Sequence, residues 1–191
     1  MKSIASRAFL AAVSLHAPAA QAAADVPQQT PDSYAVAGER ITVAPGRALN
    51  LRCVGDGPQT VLLEAGGNAD SATWFRVQSL LSSQARVCAY DRAGYGFSDE
   101  GPLPRDLDAD VADLAALVAA AKLKTPLVLV GHSLGSNIVR GYARQHPQDV
   151  RALVLVDPPE QGADALLPQA WKAQDEAGRV QRNAFLDACL K

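Results

Sequence analysis

The stretch that most restricts what this chain can fold into runs from Thr125 to His146. Pro126-Leu127-Val128-Leu129-Val130 is a short apolar run with β-branched members, the pattern of a buried strand. Gly131-His132-Ser133-Leu134-Gly135 follows as a G-x-S-x-G turn, and from Leu134 to His146 the spacing is helical. Strand, strained turn and helix in that order are the setting of a nucleophile elbow. Ser133 is expected in a cramped backbone conformation, and a side chain two residues to either side would clash where strand meets helix. A plain strand–helix turn that happens to carry a serine is the bland alternative, and the flanking elements weigh against it.

The rest of the chain repeats the same alternation. Strands are expected over 39–44, 48–54, 60–64, 86–90 and 152–156, with the first two joined by the turn Ala44-Pro45-Gly46-Arg47. The third ends in a Gly-rich loop, Ala65-Gly66-Gly67-Asn68. Ser71 is expected to cap a helix reaching about Gln84, with Trp74, Val77, Leu80 and Leu81 inward. A second helix is marked by Leu107, Val111, Leu114, Val118 and Ala121 at alternating steps of four and three. Asp106, Asp108 and Asp110 at its start and Lys122 and Lys124 at its end suit the helix macrodipole. Those acids are better explained as helix-start charges than as a metal cluster, and no metal site is expected. Strands alternating with helices imply an α/β fold with a mostly parallel sheet and crossover helices on its faces.

The ends read differently. Lys2 and Arg7, the apolar run 8–15 and the small-residue sites Ala20-Gln21-Ala22 and Ala22-Ala23-Ala24 form the pattern of a secretory signal peptide over 1–24. The apolar run is too short to span a bilayer, so stable membrane insertion is not expected. Residues 25–38, with Pro27 and Pro31, read as a linker. A formal net charge of −2 offers no basic surface for nucleic acid. After Pro159 the chain turns polar and helix-like, with Trp171, Val180, Phe185 and Leu186 as scattered apolar positions.

Three blocks, Leu63-Glu64-Ala65-Gly66-Gly67, Asp91-Arg92-Ala93-Gly94-Tyr95-Gly96-Phe97-Ser98 and Gly131-His132-Ser133-Leu134-Gly135, together resemble the alpha/beta-hydrolase superfamily of serine hydrolases over 39–158. The resemblance implies a strand order 1-2-4-3-5-6. It implies Ser133 as nucleophile, with the oxyanion held by the backbone N–H of Leu134 and by a donor in the loop after the third strand. Measured back from Trp74, that donor is the N–H of Gly67. It implies that residues 159–191 begin a helical lid, so that the chain reads as truncated within it. No catalytic histidine is found. His16 lies in the expected signal peptide, and His132 resembles a packing residue often found beside the nucleophile. His146 closes a helix of about 1.5 Å rise per residue, roughly 20 Å from Ser133. Asp157, after the sixth strand, is a candidate for the acid, with simple strand termination as the competing explanation. Cys53 and Cys88 fall on strands that the implied order makes neighbours, and similar secreted hydrolases carry cysteines there. A Cys53–Cys88 disulfide is therefore expected, with Cys189 unpaired.

The expected protein is a secreted or periplasmic serine hydrolase acting on small-molecule carboxylic esters or related acyl substrates, without a cofactor. Two alternatives stand beside it. One is a catalytically inactive fragment or binding module on the same scaffold. The other is a cofactor-free enzyme of the same fold with C–C hydrolase or haloperoxidase-like chemistry.

Overall fold

A computed structural model describes residues 29–159. The expected signal peptide and the expected lid both lie outside the described residues, as does Cys189. Six strands form one sheet: β1 (Glu39–Ala44), β2 (Arg47–Val54), β3 (Thr60–Glu64), β4 (Arg86–Tyr90), β5 (Leu127–His132) and β6 (Val150–Val156). Their spatial order is β1-β2-β4-β3-β5-β6. The β1–β2 and β2–β4 pairs are antiparallel, and β4, β3, β5 and β6 run parallel to one another. The order is the one that the family resemblance implies, and the chain is an α/β fold.

Period-two alternation sends the two halves of each central strand to opposite faces of the sheet. Leu62, Cys88 and Tyr90 join Leu49, Leu51, Leu127 and Leu129 in one apolar cluster. Val61, Leu63, Val87 and Ala89 join Ala65 and Trp74 in another. The first face is covered by α2 (Leu107–Ala120) and α3 (Leu134–Gln145), through Val111, Leu114, Leu117, Ile138, Val139 and Tyr142. The second is covered by α1 (Phe75–Leu81) and the 3-10 turn before it. The central strands are buried from both sides, which is why they read as apolar runs and not as alternating ones. Asp106 caps α2 by accepting the N–H of Ala109 at 2.9 Å, with Asp108 and Asp110 in the first turn. Among the described residues no cluster of His, Cys, Asp and Glu could hold a metal ion. Within that range no helix is long and apolar enough to cross a membrane.

Two local expectations are corrected. The segment after the Gly-rich loop is capped by Asp70, whose carboxylate accepts the N–H of Ala72 at 2.9 Å. It begins as a 3-10 turn, Ser71–Trp74, and α1 stops at Leu81. Gln78 is the fully buried residue of α1, and Leu80 is 74% exposed. Gln78 faces inward because it bridges open backbone: its amide donates to the carbonyls of Arg52 and Val87, both at 2.9 Å, and accepts from the Tyr34 hydroxyl. Two residues further on, at about 100° per residue, Leu80 must then point away from the sheet. The second correction concerns the linker. From Gln29 onward the expected 25–38 linker is docked on the domain. Its N–H of Gln29 donates to Ser79, Tyr34 is buried, and the Arg52 guanidinium lies 4.6 Å above the Tyr34 ring.

Candidate active site

The turn between β5 and α3 holds Ser133 at φ 47°, ψ −120°, a left-handed conformation that a residue with a side chain adopts only under constraint. Three contacts over-determine it. The N–H of Ser133 donates to the carbonyl of Val156 on β6 at 2.9 Å. Its own carbonyl accepts from the N–H of Ser136 at 2.9 Å, and the Ser136 hydroxyl donates back to the carbonyl of Gly131 at 2.7 Å. The flanking glycines are required by space. A Cβ on Gly131 would stand 2.6 Å from the carbonyl oxygen of Gly135. One on Gly135 would stand 2.6 Å from the carbonyl oxygens of both Glu64 and Ala65. Neither neighbour is a flexible tip that could move aside.

The loop after β3 meets this turn. The Cβ direction of Gly66 points to His132, 2.7 Å from Nδ1, and to Ser133, 3.5 Å from its Cβ. That of Gly67 points to the Leu134 side chain at 3.8 Å. Leu134 is the first residue of α3, so its N–H has no acceptor within the helix. Ser133, Leu134 and Gly67 are thus gathered in one place at the C-terminal ends of the parallel strands. Asp157 follows β6 at φ 48°, at the same edge of the sheet, since Val156 pairs with His132. It is exposed, and among the described residues no side chain hydrogen-bonds its carboxylate. His132 packs against Gly66. His146 caps the far end of α3, its ring 4.7 Å from that of Tyr142. Cys53 and Cys88 face each other in the β2–β4 register and are joined as a disulfide.

Behind the loop lies a polar group that sequence reasoning passed over. Glu64, 1% exposed, ends β3, and Arg92, 4% exposed, follows β4. Arg92 donates through Nη1 to Glu64 Oε1 and to the carbonyl of Ala65, and through Nη2 to the carbonyl of Gly66, each at 2.7 Å. The Tyr90 hydroxyl donates to the other Glu64 oxygen. Burial pushes the Glu64 carboxyl up to about 7, against the lowering pull of Arg92 and of the hydrogen bonds it receives. Burial raises Tyr90 well above the ordinary phenol range, and the Glu64 charge adds to it. For Arg92 burial acts downward, but Glu64 outweighs it and holds the guanidinium above its usual value. The available signal was a single acidic residue closing the apolar run Val61-Leu62-Leu63.

The neighbouring Asp91 explains the third sequence block. Its carboxylate accepts from Asn50 Nδ2 and the Ser71 N–H, both at 2.8 Å, and from the Phe97 N–H at 3.0 Å. That folds 91–98 back over the sheet. Gly96 is needed at φ 49° because a Cβ there would stand 2.3 Å from Asp91 Oδ2.

Comparison with known proteins places these features in company. A sequence profile of the alpha/beta hydrolase fold matches residues 59–188. The uncharacterized protein YqjL of Bacillus subtilis is 34% identical over 99 residues, 52% of this chain and 39% of that protein. A thermophilic esterase from Thermogutta terrifontis superimposes with a TM-score of 0.58 at 28% identity, covering 64% of this chain and 46% of the esterase. A meta-cleavage product hydrolase from Pseudomonas fluorescens IP01 gives a TM-score of 0.57 at 28% identity, covering 64% and 45%. The matched stretches span less than half the length of these relatives.

Proposed function

Because the chain belongs to the alpha/beta hydrolase fold family, we propose that it carries the nucleophile of a serine hydrolase acting on small-molecule carboxylic esters or related acyl substrates. The observation that carries this reading is the strained Ser133 at the head of α3, with the Gly66-Gly67 loop against it. In the proposed reaction Ser133 Oγ attacks the acyl carbonyl carbon and loses its proton to a base. The carbonyl π electrons move onto oxygen, where the N–H groups of Leu134 and Gly67 stabilise the charge. Collapse expels the alcohol, which takes the proton back, and leaves an acyl-enzyme that water then hydrolyses. A serine hydroxyl needs that base at neutral pH. Neither His132 nor His146 is assigned the part, and the reading requires an imidazole brought to Ser133 from outside the described residues. Asp157, at the same sheet edge, is the candidate for orienting it. No step calls for a cofactor. The reading includes export to an oxidising compartment, supported by the signal-peptide pattern at the N-terminus and by the Cys53–Cys88 bridge.

The test uses the polypeptide that carries this sequence in its natural context. It should hydrolyse a short p-nitrophenyl ester and be labelled by a fluorophosphonate, and Ser133→Ala should remove both while the fold stays intact. Ester hydrolysis that survives Ser133→Ala would refute the assignment. A second reading, C–C bond hydrolysis through the same serine, is favoured by the similarity to the meta-cleavage product hydrolase. A substrate panel of esters and meta-cleavage products separates the two.

A further inference from the structure

We propose that Arg92, held in place by Glu64, is a positioning residue that aims the Gly67 N–H at the oxyanion. The inference rests on the Ser133 reading above and adds to it a residue that touches neither substrate nor nucleophile.

The argument begins with a peptide plane. In a trans peptide the C=O and the following N–H point in opposite directions. The bond from Gly66 to Gly67 is trans, since the cis bonds of the described residues are those before Pro104 and Pro126. Arg92 Nη2 holds the carbonyl of Gly66 at 2.7 Å from beneath the loop. The N–H of Gly67, in the same plane, is therefore turned away from Arg92. On the other side of the loop stand His132, Ser133 and Leu134, the groups that Gly66 and Gly67 face. Arg92 Nη1 fixes the carbonyl of Ala65 in the same way, so two successive peptide planes are set by one rigid guanidinium. Without that fork a loop containing two consecutive glycines would have many orientations open to it.

Glu64 supplies the second half of the device. Its carboxylate takes one arm of Arg92 and the Tyr90 hydroxyl, so the fork cannot swing. Its backbone and Cγ lie against Gly135, where an added Cβ would stand 2.6 and 2.7 Å away. One residue thus connects the loop's anchor to the base of the nucleophile turn. A buried ion pair is weak evidence of a stabilising role, because apolar residues of similar volume often serve as well. Arg92 spends its donors on irregular carbonyls, where an apolar side chain could not replace it.

The test compares Arg92→Met and Arg92→Lys in the polypeptide carrying this sequence, with active sites counted by fluorophosphonate titration. For Arg92→Met, kcat on a p-nitrophenyl ester should fall roughly 10- to 100-fold with KM changed less than about three-fold, the pattern of a misaimed transition-state donor. Affinity for a boronic acid, which presents an oxyanion, should fall by a similar factor. Arg92→Lys keeps the charge but reaches one carbonyl at a time, and should recover part of the loss. Turnover that depends on Ser133 while both variants keep the parental kcat per titrated site overturns this inference alone. So does a loss that tracks only the fraction of folded protein. Turnover that does not depend on Ser133 overturns the underlying reading and this inference with it.

Discussion

At the scale of single residues, the site is built from conformations that the chain would not choose locally. Ser133 sits at φ 47°, ψ −120°, where a Cβ is unfavourable and glycine is at ease. Such strain costs on the order of 1–3 kcal/mol, and a glycine gives back about 0.5–1 kcal/mol in lost backbone freedom. Ser133→Gly should therefore stabilise the domain by about 1 kcal/mol and raise its melting temperature by about 3 °C while abolishing ester hydrolysis. Ser133→Ala, which keeps the Cβ, should abolish hydrolysis without that gain. Thermal melts of the two variants beside the parent decide it, and equal melting temperatures would mean that the turn is not strained in solution. The raised carboxyl of Glu64 gives a second residue-scale expectation. Its folded value of about 7 lies above its ordinary 4.5, so its protonated form favours the folded state. That contribution is fully present below about pH 4.5 and is lost as pH rises through about 7. Glu64→Gln should flatten the pH dependence of the urea midpoint across that window, and an unchanged slope would show that Glu64 folds as a carboxylate.

Among the elements, the β2–β4 pair is the seam between the antiparallel edge and the parallel part of the sheet. Cys53 and Cys88 close it with a disulfide, 35 residues apart in sequence. Constraining a loop of that length in the unfolded chain is worth about 3–4 kcal/mol in the chain-entropy account. Reduction, or the Cys53→Ala/Cys88→Ala double variant, should lower stability by about that amount, read as a drop in the urea midpoint. If the reduced and oxidised proteins unfold together, the bridge does not hold this seam. On the neighbouring side, Asp113 of α2 takes Arg47 of β2 at 2.6 Å and Arg105 at 2.7 Å. The helix is thereby pinned to the hairpin turn at the far edge of the sheet.

For the whole molecule, the critical feature is the outer side of β6. The strand pairs with β5 on one side and, among the described residues, with nothing on the other. Leu153, Val154 and Val156 are 38%, 47% and 43% exposed. The one charge of the strand, Arg151, and its register irregularity both lie at its start, and from Ala152 to Val156 the edge is apolar and free of proline, a template for another strand. The 191-residue chain should therefore associate as its concentration rises, and Val154→Lys should reduce that association. Size-exclusion chromatography across a concentration series is the measurement. A monodisperse parent, indistinguishable from the variant, would mean that the edge is covered in solution.

Much of this architecture was legible in the order of residues. The apolar runs of β3, β4 and β5, the four–three spacing of α2 and the G-x-S-x-G turn are local patterns, readable because backbone geometry repeats over two or about 3.6 residues. The sheet order and the placing of Gly67 and Leu134 beside Ser133 were implied by the resemblance of three sequence blocks to the alpha/beta-hydrolase superfamily, not by periodicity. What the tertiary structure alone decided were the polar contacts between distant segments. Gln78 reads as a surface position until the carbonyls of Arg52 and Val87 are brought beneath it. Ser71 reads as the cap until its N–H is claimed by Asp91 and the Asp70 carboxylate takes the N–H of Ala72. Glu64 and Arg92 lie 28 residues apart and become a clamp only once β3 and β4 are neighbours. Periodicity carries information about which face of an element meets apolar surface. It carries none about which single buried donor meets which acceptor, because that pairing depends on how two elements are placed in space.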